Sequence, residues 1–251
     1  MTPDAINACA ALVDRGDPDR FLAAMAAPVA QRGPLFVLYA FNLELARAPW
    51  VTREAIIAQM RLQFWRDVVA LEEPKAHEVA DPLQVLIRDG LPVGPLNAMI
   101  DAREAEIGTS APFEDEAALW RYLEGTAGAL MEASVQALGG PQSDAARRLG
   151  TAQGLANYLL AIPALEAAGR HPLPDGRPES LVSLARQART RLKAARPALR
   201  PLPRAALLAA WRADALLAQV EKAPQRVAQG LLGQSEFVRR GSLLVRKVSG
   251  F

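Results

Sequence analysis

The chain contains one cysteine, Cys9, and two histidines, His77 and His171, among 251 residues. A single thiol cannot close an internal disulfide, and it removes the basis for a cysteine-based metal cluster. The two histidines lie far apart in sequence, so a histidine-based metal site is not expected either. β-Branched residues are sparse beside alanine and leucine, which favours helix over sheet. The unbroken apolar stretches, such as Pro34 to Phe41, are far short of the roughly 20 residues that cross a bilayer. Met1-Thr2-Pro3-Asp4 carries neither a basic region nor a long apolar run, so no secretory leader is expected. Two local absences bear most directly on function. From Ala145 to Leu165 there is no carboxylate, and from Phe36 to Ala48 there is one, Glu44.

What is present is ordinary for a soluble globular protein: 51% hydrophobic and 22% charged residues. The length suits one sizeable domain with a well-covered core. Net charge is +2, but it is unevenly spread. Residues 1–166 hold 13 Lys/Arg and 22 Asp/Glu, whereas residues 167–251 hold 16 Lys/Arg and 5 Asp/Glu. Such asymmetry has two readings: neutralisation across one fold, or a basic region that faces an anionic partner.

Proline and glycine divide the chain into helical stretches. Thr2-Pro3 predicts a helix to about Arg15, with proline in the first turn, and Asp17-Pro18-Asp19 a short second one. Gly33-Pro34 predicts the start of a helix to about Ala48, buried on most sides because Leu35 to Phe41 are all apolar. Thr52 is the expected cap of a helix to about Glu73, with Ile56, Met60, Phe64 and Val68 forming a stripe that Trp65 joins, and Arg53, Arg61 and Asp67 off it. Further helices fit 81–89, 92–107, 113–138, 142–162, 179–195, 203–222 and 234–248, with Gly139-Gly140-Pro141 and Pro197 to Pro203 as stops. The expected fold class is all-α, in one domain over residues 1–251.

Four segments carry a resemblance. They are Phe36-Val-Leu-Tyr-Ala-Phe-Asn-Leu-Glu-Leu-Ala46, Met60-Arg-Leu-Gln-Phe-Trp-Arg-Asp67, the pair Met99 to Glu104 with Trp120 to Leu130, and Leu149 to Asn157 followed by Gly169 to Pro174. Taken in order, they resemble the squalene/phytoene synthase family. The likeness implies the isoprenoid (terpenoid) synthase fold, with helices around a deep apolar cavity. It also implies two acidic motifs at the cavity mouth that hold Mg²⁺ against a diphosphate leaving group. Here those positions read Asn42-Leu43-Glu44-Leu45-Ala46 and Leu159-Leu160-Ala161-Ile162-Pro163, with Pro163 expected to end its helix. No catalytic residue, metal ligand or cofactor is therefore assigned. The candidate cavity-lining residues are Tyr39, Asn42, Glu44, Trp65, Tyr122, Gln153 and Asn157. Gln153 and Asn157 share a helical face. The plainer reading pairs Glu44 with an arginine such as Arg61 or Arg66, bonds Gln153 and Asn157 to backbone, and makes Tyr39, Trp65 and Tyr122 core aromatics.

From Ser180 to Ala213 there are eight basic residues and no acid. Arg186, Arg189, Lys193 and Arg196 are expected on one helix face, opposite Leu181, Leu184, Ala188 and Leu192. Arg239, Arg240, Arg246 and Lys247 make a second basic cluster. Both are candidate surfaces for anionic lipid or an acidic protein. Nucleic acid is not expected, since no aromatics interleave these charges.

The intact scaffold with missing acidic motifs resembles the branch of the family that includes mitochondrial assembly factors of respiratory complex I. The resemblance implies a non-catalytic protein acting peripherally at the inner membrane, and the missing leader makes a reducing cytoplasm the default setting. Its partners would be a membrane-complex subunit or assembly intermediate, with an anionic lipid or isoprenoid as ligand. The alternative is a divergent prenyl-diphosphate synthase that uses Mg²⁺ held by Asp67, Asp101 or Glu104. A simple lipid carrier is a third expectation.

Overall fold

The computed structural model describes residues 1–50, 54–71, 73 and 76–250. Thr52, the expected cap, and Arg53 lie outside them. Among the described residues there is no strand. The α-helices are α1 (Pro3–Gly16), α2 (Pro18–Ala26), α3 (Val29–Arg47), α4 (Ala55–Ala70), α5 (Ala80–Arg88), α6 (Gly94–Ala102), α7 (Glu116–Leu123) and α8 (Ala129–Ala137), followed by α9 (Asp144–Ala167), α10 (Pro178–Leu199), α11 (Arg204–Leu207), α12 (Ala213–Lys222) and α13 (Glu236–Ser249). Their starts obey local chemistry. Side chains of Thr2, Asp17, Asp115, Ser143 and Ser235 accept from backbone N–H groups three residues on, which satisfies donors that a helix N-terminus otherwise leaves free.

Helix α3 forms the middle of the structure. Every residue from Leu35 to Asn42 is buried, and α1, α2, α5 and α8 pack against it. The helix begins at Val29, earlier than the Gly33-Pro34 signal suggested. Gly33 lies so close to Ile6 that a Cβ there would sit 3.1 Å from the Ile6 Cδ1. Pro34 is thus inside the helix, as are Pro163 in α9 and Pro197 in α10. A proline within a helix loses one backbone bond and crowds the carbonyl four residues back. In α9 the buried Leu159 and Ile162 hold the axis past that defect. The helix stops instead at Gly169, whose φ of 77° gives the left-handed turn in which Arg170 N–H reaches the Leu165 carbonyl.

Between α7 and α8 the backbone widens into a π-helical turn, Glu124–Gly128. Such turns insert a residue without ending the helix. Here the turn brings Ala127 and Gly128 against Gly150 and Gly154 of α9. The predicted 203–222 helix is broken into α11, a 3₁₀ turn over Leu208–Ala210, and α12. Tertiary contacts explain the break: Trp211 packs with Ala23, Leu208 and Leu243, and Arg212 pairs with Asp19 of α2.

The α4 stripe is a correction. Ile56 and Met60 are 61% and 65% exposed, and the buried face consists of Ala58, Leu62, Trp65, Val68 and Val69. Both sides of the helix are apolar, so periodicity did not decide which faces inward.

Cys9 is fully buried on α1, its Sγ 3.5 Å from the Glu78 carbonyl oxygen. Burial, with the Glu78 charge as the lesser cause, pushes the thiol from 9.0 up to about 12. The folded protein therefore withholds Cys9 from a thiol reagent at pH 8, and labelling follows unfolding. An acid whose folded pKa is raised favours the folded state below its ordinary value. That contribution is lost as pH climbs from 9 towards 12. A maleimide time course with and without denaturant checks the first statement, and unfolding midpoints across alkaline pH check the second. Rapid labelling of native protein would refute the buried placement.

Candidate functional site

The segments that the resemblance sets at the two acidic motifs lie on α3 and α9. On α3, Tyr39 is 1% exposed and Asn42 is buried about one turn on. On α9, Gln153 is buried and Asn157, one turn later, is half-buried. The residue that joins them was not foreseen. Arg20 of α2 is only 6% exposed. It ion-pairs with Asp17 at 2.5 Å, donates from Nη2 to Gln153 Oε1 at 3.4 Å, and its guanidinium carbon lies 5.8 Å from the Tyr39 ring centroid. Gln153 thus answers a side chain from another helix rather than backbone. Burial pushes the Tyr39 hydroxyl from 10.0 up to about 12, against the opposing charge of Arg20. A guanidinium, its carboxylate, an amide and a phenol therefore occupy the space between α3 and α9. The only sequence hint of Arg20 is Asp17 three residues before it, a spacing that brings two helical side chains together.

Glu44 is placed differently. It is half-buried and pairs with Arg47 at 3.2 Å, not with Arg61 or Arg66. It borders a groove of about 480 Å³ formed with Ile57, Met60, Arg61, Phe64, Trp65 and His77. The Trp65 ring is fixed by Phe41, Phe64 and His77 at centroid distances of 5.2, 5.1 and 5.4 Å. His77 Nδ1 accepts from Val79 N–H at 3.1 Å, so this imidazole holds the approach to α5.

Tyr122 belongs to a third network. Its hydroxyl donates to Glu106 at 2.5 Å and accepts from Arg103 at 2.5 Å, while Arg103 and Glu106 pair at 2.9 Å. The rings of Phe113 and Tyr158 pack around it. Burial holds the Tyr122 hydroxyl far above the usual phenol range, although the Arg103 charge opposes this. The sequence-derived set is therefore not brought together as one cavity lining. Tyr39 and Gln153 meet through Arg20, while Glu44 with Trp65, and Tyr122, mark two other places.

Among the described residues, no three His, Cys, Asp or Glu side chains gather in a way that could hold a metal ion. Asp101 and Glu104 are exposed and both bind Arg66, at 2.9 and 2.6 Å. Asp67 accepts from Gln63 at 2.7 Å. Glu44, the one carboxylate at the two motif positions, is taken by Arg47. These donors do not fit a magnesium cluster of the kind a diphosphate needs, which requires several free oxygen ligands.

The basic surface is also divided. Leu181, Leu184, Ala188 and Leu192 are buried, as their spacing implied. Arg189, however, pairs with Asp214 at 2.8 Å and Glu221 at 3.1 Å, and Arg196 with Asp214 at 3.6 Å. Arg186 and Lys193 are exposed. Arg239 pairs with Asp19 and Glu236, and Arg240 with Glu236. Part of the charge asymmetry is therefore neutralised across the fold. No helix among the described residues is long and apolar enough to cross a membrane.

Comparison with known proteins agrees with the resemblance. The family described as squalene/phytoene synthase matches residues 13–176. The chain is 30% identical over 162 residues to NADH dehydrogenase (ubiquinone) complex I, assembly factor 6, of Homo sapiens, covering 62% of this chain and 48% of that protein. It is 31% identical over 180 residues to the homolog of Drosophila melanogaster, covering 66% and 52%. It thus spans about half the length of the curated relatives it matches. Among solved structures, a dehydrosqualene synthase superposes with a TM-score of 0.77 at 16% identity, covering 98% of this chain and 95% of that one. Squalene synthase HpnC from Alicyclobacillus acidocaldarius gives 0.72 at 17%, covering 92% and 95%. At such identities the structures establish the isoprenoid synthase fold and nothing finer.

Proposed function

This chain belongs to the squalene/phytoene synthase family, and we propose that within it the protein acts by binding rather than by prenyl transfer, assisting assembly of a membrane respiratory complex of the complex I type. The observation that carries this reading is the content of the two motif positions. Prenyl synthesis starts by ionising an allylic diphosphate, and neutralising the departing charge by metal is the dominant requirement. Asn42, Glu44 bound to Arg47, and Leu159 to Pro163 offer no such cluster. Arg20, paired with Asp17, reaches Gln153 of α9 and lies over the Tyr39 ring of α3. The role comes from the relatives, which are named complex I assembly factors.

An assembly factor needs surfaces more than a closed active site. The α4 face supports this, since Ile56, Ile57 and Met60 are exposed beside the Trp65 groove, and contiguous exposed apolar surface marks interaction sites. In this reading no resident Mg²⁺ or other cofactor is required.

The test is NADH:quinone oxidoreductase activity and complex I abundance in membranes of a deletion strain, with plasmid rescue. A specific loss of both, restored by the plasmid, is expected. Normal complex I in that strain, together with diphosphate release from a prenyl diphosphate by the purified protein with Mg²⁺, would replace this reading with a divergent synthase.

A further inference from the structure

A surface helix in a globular protein turns its apolar side to the core. Helix α13 does the reverse. Its inward side carries Arg239, Ser242, Leu243 and Arg246. Leu243 is the buried residue of this helix and packs with Ala23, Leu208 and Trp211. The Trp211 Nε1–H donates to the Arg239 carbonyl at 3.3 Å, and Arg239 Nε lies 3.5 Å from Asp19. The helix is therefore docked by a polar side with a single leucine.

The opposite side is apolar and open. Phe237 is 88% exposed, Leu244 65%, Val245 63% and Val248 75%. Phe237, Gly241, Leu244 and Val248 recur at the spacing that places them on one line along a helix. The glycine leaves a shallow cleft of about 290 Å³ between Phe237 and Leu244. Arg240 and Lys247, seven residues apart and both exposed, flank this line on one side. Glu236 is the only acid on the helix, and Arg239 and Arg240 both bind it, at 3.3 and 2.6 Å. Past the last turn, Arg200 and Arg204 line a depression with Ser249 and Gly250, which extends the basic border.

We propose that α13 is a membrane-surface element, lying in the headgroup plane of an anionic bilayer with Phe237, Leu244 and Val248 inserted and Arg240 and Lys247 against lipid phosphates. The pattern of an apolar face with cationic edges is what such helices require. Each basic residue near an anionic surface adds to the attraction. A second copy of the chain is the poorer occupant, because a two-fold contact along this line would bring Arg240 and Lys247 towards their own counterparts, and like charges across an interface oppose association. The proposal goes beyond the assembly role and does not depend on it.

The test is flotation of the purified full chain with vesicles of phosphatidylcholine alone or mixed with phosphatidylglycerol. Flotation with the mixed vesicles only is expected. Phe237→Ser and Leu244→Ser are each expected to weaken it about tenfold, the scale for removing one large apolar side chain from a buried setting. Arg240→Ser with Lys247→Ser weakens it and flattens its salt dependence. Circular dichroism and melting of these variants should match wild type, since the altered side chains are exposed. Three results would overturn the proposal: no flotation of wild type, stripe variants that float equally well, or a concentration-dependent dimer abolished by Phe237→Ser. Because flotation uses purified protein, failure here leaves the deletion-strain test of the assembly role unaffected, and the reverse also holds.

Discussion

Replacing Gly150 by leucine is expected to leave no folded protein, and replacing it by alanine to lower stability by about 3 kcal/mol. A Cβ at Gly150 would lie 2.4 Å from the Ala127 carbonyl oxygen, 2.5 Å from the Met131 Cβ and 3.0 Å from the Gly128 Cα. Two of those three atoms are backbone, so no rotamer change relieves the contact and α9 must move away from the π turn. One turn on, Gly154 repeats the close approach, at 2.6 Å from the Ala127 Cβ. The two helices meet over glycine and alanine at both levels, and separation opens the core on each side of the contact. Alanine's intrinsic helix preference, about 1 kcal/mol over glycine, is too small to offset this. Gly241 on α13 is the control: no atom lies within 4 Å of its would-be Cβ, so Gly241→Ala should gain about 0.5–1 kcal/mol. Denaturant midpoints of the alanine variants decide the matter. Equal stability of Gly150→Ala and wild type would mean that α9 does not pack this closely.

Arg103→Met is expected to cost about 3–5 kcal/mol, the range for removing one member of a buried ion pair. The Arg103 side chain is 11% exposed and that of Glu106 8%, and Tyr122 bonds to both. Burial opposes the charge on Arg103, but Tyr122 and Glu106 more than compensate and raise its pKa. Without the guanidinium, Glu106 keeps a carboxylate in an aromatic pocket formed with Phe113, Tyr122 and Tyr158, with the Tyr122 hydroxyl as its remaining side-chain partner. The double variant Arg103→Met with Glu106→Leu should recover most of the loss, because it removes both charges and restores apolar volume. Urea unfolding of the single and double variants measures the coupling. A single-variant loss below about 1 kcal/mol would show the pair to be effectively solvated.

Much of the fold was legible because it depends on neighbours in sequence. The caps at Thr2 and Asp17 and the stop at Gly139-Gly140-Pro141 are short-range chemistry, and the buried run from Leu35 to Phe41 could face nothing but a core. The prolines misled where burial outweighed one missing hydrogen bond. Pro163 does not end α9, because Leu159 and Ile162 are anchored on the near side of it and Gly169 supplies the turn beyond. The α4 stripe misled for a different reason. Trp65 and Val68 of the expected stripe are buried, but Ile56 and Met60 are exposed while Ala58, Leu62 and Val69, at equally good spacing, are buried, and only tertiary packing chose between them.

The candidate site shows the same division. The absence of carboxylates from Ala145 to Leu165, and their single occurrence at Glu44 between Phe36 and Ala48, is a fact of composition; the resemblance sets these stretches at the family's acidic motifs, and together they are the main support for a binding role. Of the residues assigned to one lining, the structure places Tyr39 and Gln153 around Arg20, Glu44 and Trp65 beside the α4 groove, and Tyr122 with Arg103 and Glu106. Arg20 could not be picked out, since an acid three residues away, as Asp17 is here, marks a local ion pair but not the arginine that enters the interior.

The sequence by itself determined the all-α class, most helix positions and the scarcity of carboxylates from Phe36 to Ala48 and from Ala145 to Leu165, because each depends on residue type and spacing along one segment. Tertiary structure decided what no single segment encodes. It set which side of α4 is buried, brought Arg20 of α2 to Gln153 of α9, matched Arg189 to the acids of α12, and turned the apolar side of α13 outward. Those outcomes depend on where distant elements come to lie, and a helix with two usable faces has its orientation set by the neighbours it packs against.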